Sequence, residues 1–395
     1  MFDFTTEIDR SGTYSLKWNV AEGELPCWVA DMDFRTAPVI VEAATRAAAR
    51  GLYGYTIVPD TFGKAVASWY ERRYGWHFAP ECVRFATGVM PAVHSLVRTL
   101  TNPGDKVVVL TPVYHCFFQA IEENGRTAST VPLIEEEDGS VRIDFEALET
   151  ALRDPAVRLM ILCNPHNPTG TLWTEEDLRR IGELTSKAGV LVLSDEIHGD
   201  LVDPGTRYVP YQKAIDEEAR RLSLTCVSPS KTFNIPMLGV SALIVPDERL
   251  RARAAAGLHR DQVCNPGALV IEPALAAYNE GEPWLEELLV VLEANKRRTV
   301  QFIAEELPKV KCRHPLATYL LWLDISAYGV PSGKAVEVIR RTTGLIVSPG
   351  SQFRPDAGEW LRLNVATQAT RLEDALGRLK RGLEALEKEQ AAENR

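Results

Sequence analysis

A lysine on a polar turn, a carboxylate and a histidine in DEIH, an asparagine before proline and a glycine before a helix are the groups here best suited to chemistry. Lys231 lies in SPSKTFN, directly after the apolar run LTCV. Its amine is a nucleophile toward carbonyls and becomes a base when burial lowers its pKa. Asp195 opens DEIH after VLVLS, and His198 closes it. Asn164 opens NPHNPTG after LMILC, and Tyr114 follows VVVL in TPVYH. Ser228 and Ser230 stand beside the lysine as hydroxyl donors. In RFATGVMPAVHSLVRTL, Gly88, Val89 and Met90 stand at an expected helix start, where free N–H groups and the helix dipole favour an anion.

Taken singly, each has an ordinary structural reading. Asn164 with the two prolines that follow makes a turn, Asp195 an N-cap, His198 a packed ring and Lys231 a surface cation. DEIH hints at a metal, but HExxH and CxxC spacings are absent, and no metal is expected. SPSKT lacks the glycines of a nucleotide phosphate loop.

The elements that position these groups follow from periodicity. KVVVL (106–110), VRLMILC (157–163), VLVLS (190–194), LTCVS (224–228) and VSALIV (240–245) are short β-branched apolar runs. Helical patterns separate most of them, including FEALETALR and TEEDLRRIGELTSKAG, where Thr174 is an N-cap and Gly189 a stop. Alternation of this kind predicts an α/β fold with a mostly parallel central sheet flanked by helices. Beyond about residue 275 the pattern changes to a long helix (284–309), the strand TYLLWLDI and a helix near 332–342, a smaller α+β domain. The expected organisation is an N-terminal segment (1–45) packing with the small domain, a large domain (46–275) and a small domain (276–395).

In open α/β sheets, ligands bind beyond the carboxyl ends of the strands. Lys231, Asp195, Asn164, Tyr114 and the helix start at Gly88 all fall there. Together they match the needs of pyridoxal phosphate: an amine for a Schiff base, a carboxylate for the ring nitrogen, an aromatic face and a phosphate cradle.

The sequence resembles fold-type I pyridoxal-phosphate enzymes, the aspartate aminotransferase superfamily. Within it the chain is similar to the MalY/PatB-type cystathionine β-lyases. FDFTTEIDRSGTYSLKW, LPCWVADMDF, GYT, PVY, CNPHNPTG, SDEIHGD, SKTFN, PGSQF and LRLNVA match in order, and CNPHNPTG with SDEIHGD marks this group. The resemblance implies that Lys231 is the Schiff-base lysine, that Asp195 meets the pyridine nitrogen, and that Asn164 and His198 lie near the ring oxygen. It implies that Tyr114 stacks on the ring, while Val89, Met90, Ser228 and Ser230 surround the phosphate. Tyr55 would reach the phosphate of a neighbouring subunit in a homodimer with shared sites, and Arg362 would clamp the substrate carboxylate. The reaction implied is α,β-elimination from cystathionine or an S-substituted cysteine. An aminotransferase of an amino acid, or a regulatory protein retaining the fold, are the alternatives. Asn19, Met90 and Met237 depart from the usual pattern without removing a catalytic group.

Bulk properties are those of an ordinary globular chain. The 395 residues are 45% hydrophobic and 25% charged, enough for large cores without staples. The net charge of −10 argues against a nucleic-acid surface. No apolar run approaches the ~20 residues of a membrane span, and the charged start MFDFTTEIDRSG does not read as a signal peptide. Seven scattered cysteines read as free thiols of the reducing cytoplasm.

Overall fold

The computed structural model describes residues 2–353 and 358–393. Its largest sheet has seven strands in the order Val83–Ala86, Ser241–Ile244, Ser223–Val227, Leu191–Asp195, Val157–Cys163, Lys106–Thr111 and Thr127–Pro132. Ser241–Ile244 runs antiparallel to both neighbours, and the remaining pairs are parallel. The central strands read as unbroken apolar runs because both faces are covered. Val107, Val109, Leu159 and Ile161 join one core with the helix Val89–Leu100. Their alternating neighbours Val108, Leu110, Met160 and Leu162 join another with the helices Phe145–Leu152 and Glu175–Ala188. Each such side chain contributes roughly 1.5–3 kcal/mol by leaving water.

Local signals set the helix ends. Thr174 and Asp177 form a reciprocal capping box, and Gly189 closes that helix at φ 65°. Asp144 caps the helix Phe145–Leu152 by accepting from the N–H groups of Glu146 and Ala147.

The helix Glu282–Glu306 has 25 residues and is ~37 Å long at 1.5 Å per residue. Its start packs Trp284, Leu285 and Leu288 into a core shared with the large sheet's edge. Its end packs Ile303 against a three-stranded antiparallel sheet, Leu320–Asp324, Trp360–Asn364 and Ser348–Pro349. Between them Asn295 donates to the carbonyls of Val365 and Thr367 at 2.9 and 2.7 Å, fixing the helix to this second sheet. Leu25–Pro26 pairs in parallel with Leu345–Ile346, which ties the N-terminal arm to the same unit. Residue 45 lies inside the helix Pro38–Ala49, which packs on Ile271–Glu280.

Candidate active site

Parallel pairing brings the strand ends to one edge. Asp195 ends its strand between Cys163 and Cys226, its register partners on either side. Beyond this edge lies a cavity of about 420 Å³, a size typical of small-ligand sites. Lys231, Asp195, His198 and Tyr114 line it, as do Val89, Met90 and Ser230.

Lys231 belongs to the four-residue helical turn Pro229–Thr232. Its polar neighbours brace that turn. The Ser228 hydroxyl donates to Val240 O at 2.6 Å and accepts the Ser230 N–H at 3.1 Å. The Asn234 amide bonds the backbone of Met32 and Phe34. Lys231 Nζ donates to Ala30 O at 2.6 Å. Burial pulls its pKa down to about 8, helped by Arg362 and opposed by Asp31 and Asp195. At neutral pH about a tenth is therefore the free amine that attacks a carbonyl, far more than for an ordinary lysine.

Asp195 is buried and accepts the Ile197 N–H at 3.1 Å. Burial raises its pKa to about 7, against that N–H and the Lys231 charge. Among the described residues no cation forms an ion pair with this carboxylate, which favours a ligand that brings one. His198 is buried with Nδ1 unpartnered, and burial with the charges of Lys231 and Arg362 lowers its pKa to about 3. It is a neutral ring at physiological pH. Burial likewise raises the Tyr114 phenol, so that group is neutral too.

At the helix Val89–Leu100, Gly88 adopts φ 149° and a Cβ there would meet Pro91 at 3.2 Å. That backbone presents the first turn to the cavity, where an anion is favoured.

Three expected residues are placed elsewhere. Asn164 is buried but turns away: its Nδ2 donates to Val209 O at 3.1 Å and contacts Glu196 Oε1 at 3.4 Å. Asn167, the second asparagine of NPHNPTG, lines the cavity instead. Ser228 is absorbed in bracing the lysine turn, leaving Ser230 as the serine at the wall. Tyr55 lies on the surface, fully exposed in the single chain.

Arg362 stands behind Asn167. Its Nη1 donates to Asn167 Oδ1 at 3.2 Å and its Nη2 to Trp28 O at 2.8 Å, while buried Nε has no partner. The guanidinium lies 4.6 Å over the Phe353 ring, and burial lowers its pKa to about 10, so it stays charged. Sequence reading also missed Ala30, whose carbonyl holds the lysine, although LPCWVADMDF flagged the segment. Among the described residues no three His, Cys, Asp or Glu side chains gather as a metal site.

The family profile described as "Aminotransferase class I and II" matches residues 28–379, and the chain belongs to that family. Within it the chain is of the PatB/MalY type. It is 42% identical to the cystathionine beta-lyase PatB of Bacillus subtilis, over 96% of this chain and 100% of that protein. It is 32% identical to the protein MalY of Escherichia coli, over 98% of this chain and 100% of that one. Cystalysin from Treponema denticola, whose crystal structure contains pyridoxal 5'-phosphate, superposes with a TM-score of 0.93 at 30% identity, covering 98% of this chain and 100% of that one. Among the described residues no helix is long and apolar enough to cross a membrane.

Proposed function

We propose that this protein is a pyridoxal-phosphate-dependent carbon–sulfur β-lyase. The observation that carries the reading is the convergence of the Lys231 amine and the Asp195 carboxylate on one cavity. The residues fit the cofactor: a buried carboxylate with a raised pKa, an amine held by a backbone carbonyl, and a glycine-led helix terminus. Lys231 would hold it covalently, Asp195 would pair with its ring nitrogen, and Val89, Met90 and Ser230 would surround its phosphate. Asn167 and His198 would flank the ring oxygen, and Tyr114 would cover a face. When bound, pyridoxal phosphate supplies an electron sink that makes the substrate's Cα–H acidic.

The protein then binds, orients and moves protons. Arg362 clamps the substrate carboxylate, using donors left free by Asn167 and Trp28. Lys231 Nζ takes the α-proton, and the sulfur leaves Cβ as a thiolate. Overall, cystathionine and water give homocysteine, pyruvate and ammonia, and S-substituted cysteines give the corresponding thiol. The test is to supply cystathionine and S-alkyl cysteines with and without a 2-oxo acid. Equal amounts of pyruvate and thiol without the oxo acid support the lyase; amino transfer that requires the oxo acid would replace it with an aminotransferase.

Arg362→Lys isolates the clamp. A lysine cannot copy the planar fork that also engages Asn167. It should lower kcat/KM at least ~100-fold, about 2.7 kcal/mol, with cofactor binding nearly unchanged. An undiminished kcat/KM would remove Arg362 from the substrate site.

The reading includes a homodimer with shared sites. Leu52, Tyr53, Tyr55 and Ile57 are 65–112% exposed on one stretch, an apolar surface suited to a second copy. Tyr55 would reach the partner's phosphate from there. Mixing Lys231→Ala with an inactive Tyr55 variant should regain activity, since one site of each heterodimer carries neither lesion. Confirmed subunit exchange without regained activity would exclude shared sites. All seven cysteines are free thiols, which suits the cytoplasm.

A further inference from the structure

SDEIHGD ends in Asp200, a residue with no place in the site above. Its carboxylate is 3% exposed and engages two separate elements. Oδ1 accepts from Trp69 Nε1 at 3.0 Å and from the Tyr74 hydroxyl, and Arg73 Nε lies 3.6 Å away. These three residues belong to the second half of the helix Asp60–Tyr74. Oδ2 accepts from Thr232 Oγ1 at 2.8 Å, on the residue directly after Lys231. The backbone before Asp200 is also confined, because a Cβ on Gly199 would meet the Tyr208 ring at 2.9 Å.

A turn of four residues cannot hold its own geometry. Ser228 braces its start and Asn234 the chain beyond it. Thr232 is the tie adjacent to the lysine, and its hydroxyl is directed by Asp200. A buried carboxylate contributes little stability beyond what well-packed apolar groups would supply. Its two oxygens do give a directional link between two elements, which apolar packing does not.

We propose that Asp200 is a positioning residue: through Thr232 it sets the placement of the Lys231 turn, and it couples that turn to the helix that follows the exposed Tyr55 segment. The proposal rests on the reading of Lys231 as the cofactor-bearing lysine. The geometry makes the tie specific to one oxygen on each side, so shape alone does not replace it.

The experiment uses the holoenzyme and compares Thr232→Val, Thr232→Ser, Asp200→Asn and Lys231→Ala. It records kcat, KM, visible circular dichroism per bound cofactor, and Tm. Thr232→Val keeps the shape and removes the hydroxyl. It is expected to lower kcat ~10–100-fold with KM changed less than ~3-fold, and to alter the dichroism of the bound cofactor. Thr232→Ser restores the Oγ and should recover most of the loss. Asp200→Asn should act in the same direction as Thr232→Val. If it lowers soluble yield, the Thr232 pair decides. Wild-type kcat and dichroism in Thr232→Val, or a Thr232→Ser as impaired as Thr232→Val, would overturn the positioning role. Lys231→Ala separates the two readings. Turnover in that variant overturns the site itself, whereas a dead Lys231→Ala beside a normal Thr232→Val overturns only the role of Asp200.

Discussion

Lys231→Ala is expected to lower kcat by at least ~10⁴-fold, because on the proposed reading the covalent anchor and the base for the α-proton would be lost together. The fold should survive. Among the described residues the side chain makes one hydrogen bond, to Ala30 O, and its loss costs on the order of 1 kcal/mol. Tm of the cofactor-free variant should therefore stay within a few degrees of the parent. The lowered pKa adds a second readout. In the cofactor-free parent, the rate of pyridoxal-phosphate uptake should rise with pH about a midpoint near 8, as the amine loses its proton. Spectroscopic titration of the parent and variant measures both. Wild-type turnover by Lys231→Ala without added amine, or uptake independent of pH, would displace Lys231 from this role.

How far the sequence reveals such a site depends on where its determinants lie. Strands covered on both faces stand out as runs such as VRLMILC, because each residue is buried whichever way it points. The edge strands do not. Thr127–Pro132 reads TASTVP with one buried residue, and Val83–Ala86 has only four residues, so neither pattern is apolar or long enough to stand out. Strand ends locate Asp195 and Lys231 because the sheet is parallel and the chemistry gathers on one edge. The choice between the asparagines of NPHNPTG is different. Asn164 is drawn away by Glu196 and Val209, which lie 32 and 45 positions along the chain. Ala30 meets Lys231 across 201 positions. No local spacing encodes contacts of that kind. Resemblance identified the segments, and packing decided which atom of each faces the cavity.

The same packing gives Asp195 its expected effect. Burial raises its pKa from 3.8 to about 7, while the Ile197 N–H and the Lys231 charge pull it back. The folded chain therefore binds more protons than the unfolded chain between those values. Stability of the cofactor-free protein falls as pH rises through that window, and the penalty is complete above about 7. On the proposed reading a protonated ring nitrogen beside the carboxylate would remove the penalty, and the carboxylate would keep that nitrogen charged. Asp195→Asn keeps the shape and removes the charge, so it should have opposite consequences in the two forms. Without cofactor at pH 8, its Tm should equal or exceed that of the parent. With cofactor, kcat should fall by at least ~10³-fold and cofactor retention should weaken, because the charge that sustains the electron sink is gone. Melting curves of the cofactor-free proteins and turnover at saturating cofactor separate the two effects. An unchanged kcat at saturation would end the assignment of Asp195 to the ring nitrogen, even if its burial and the pH dependence of stability were as described.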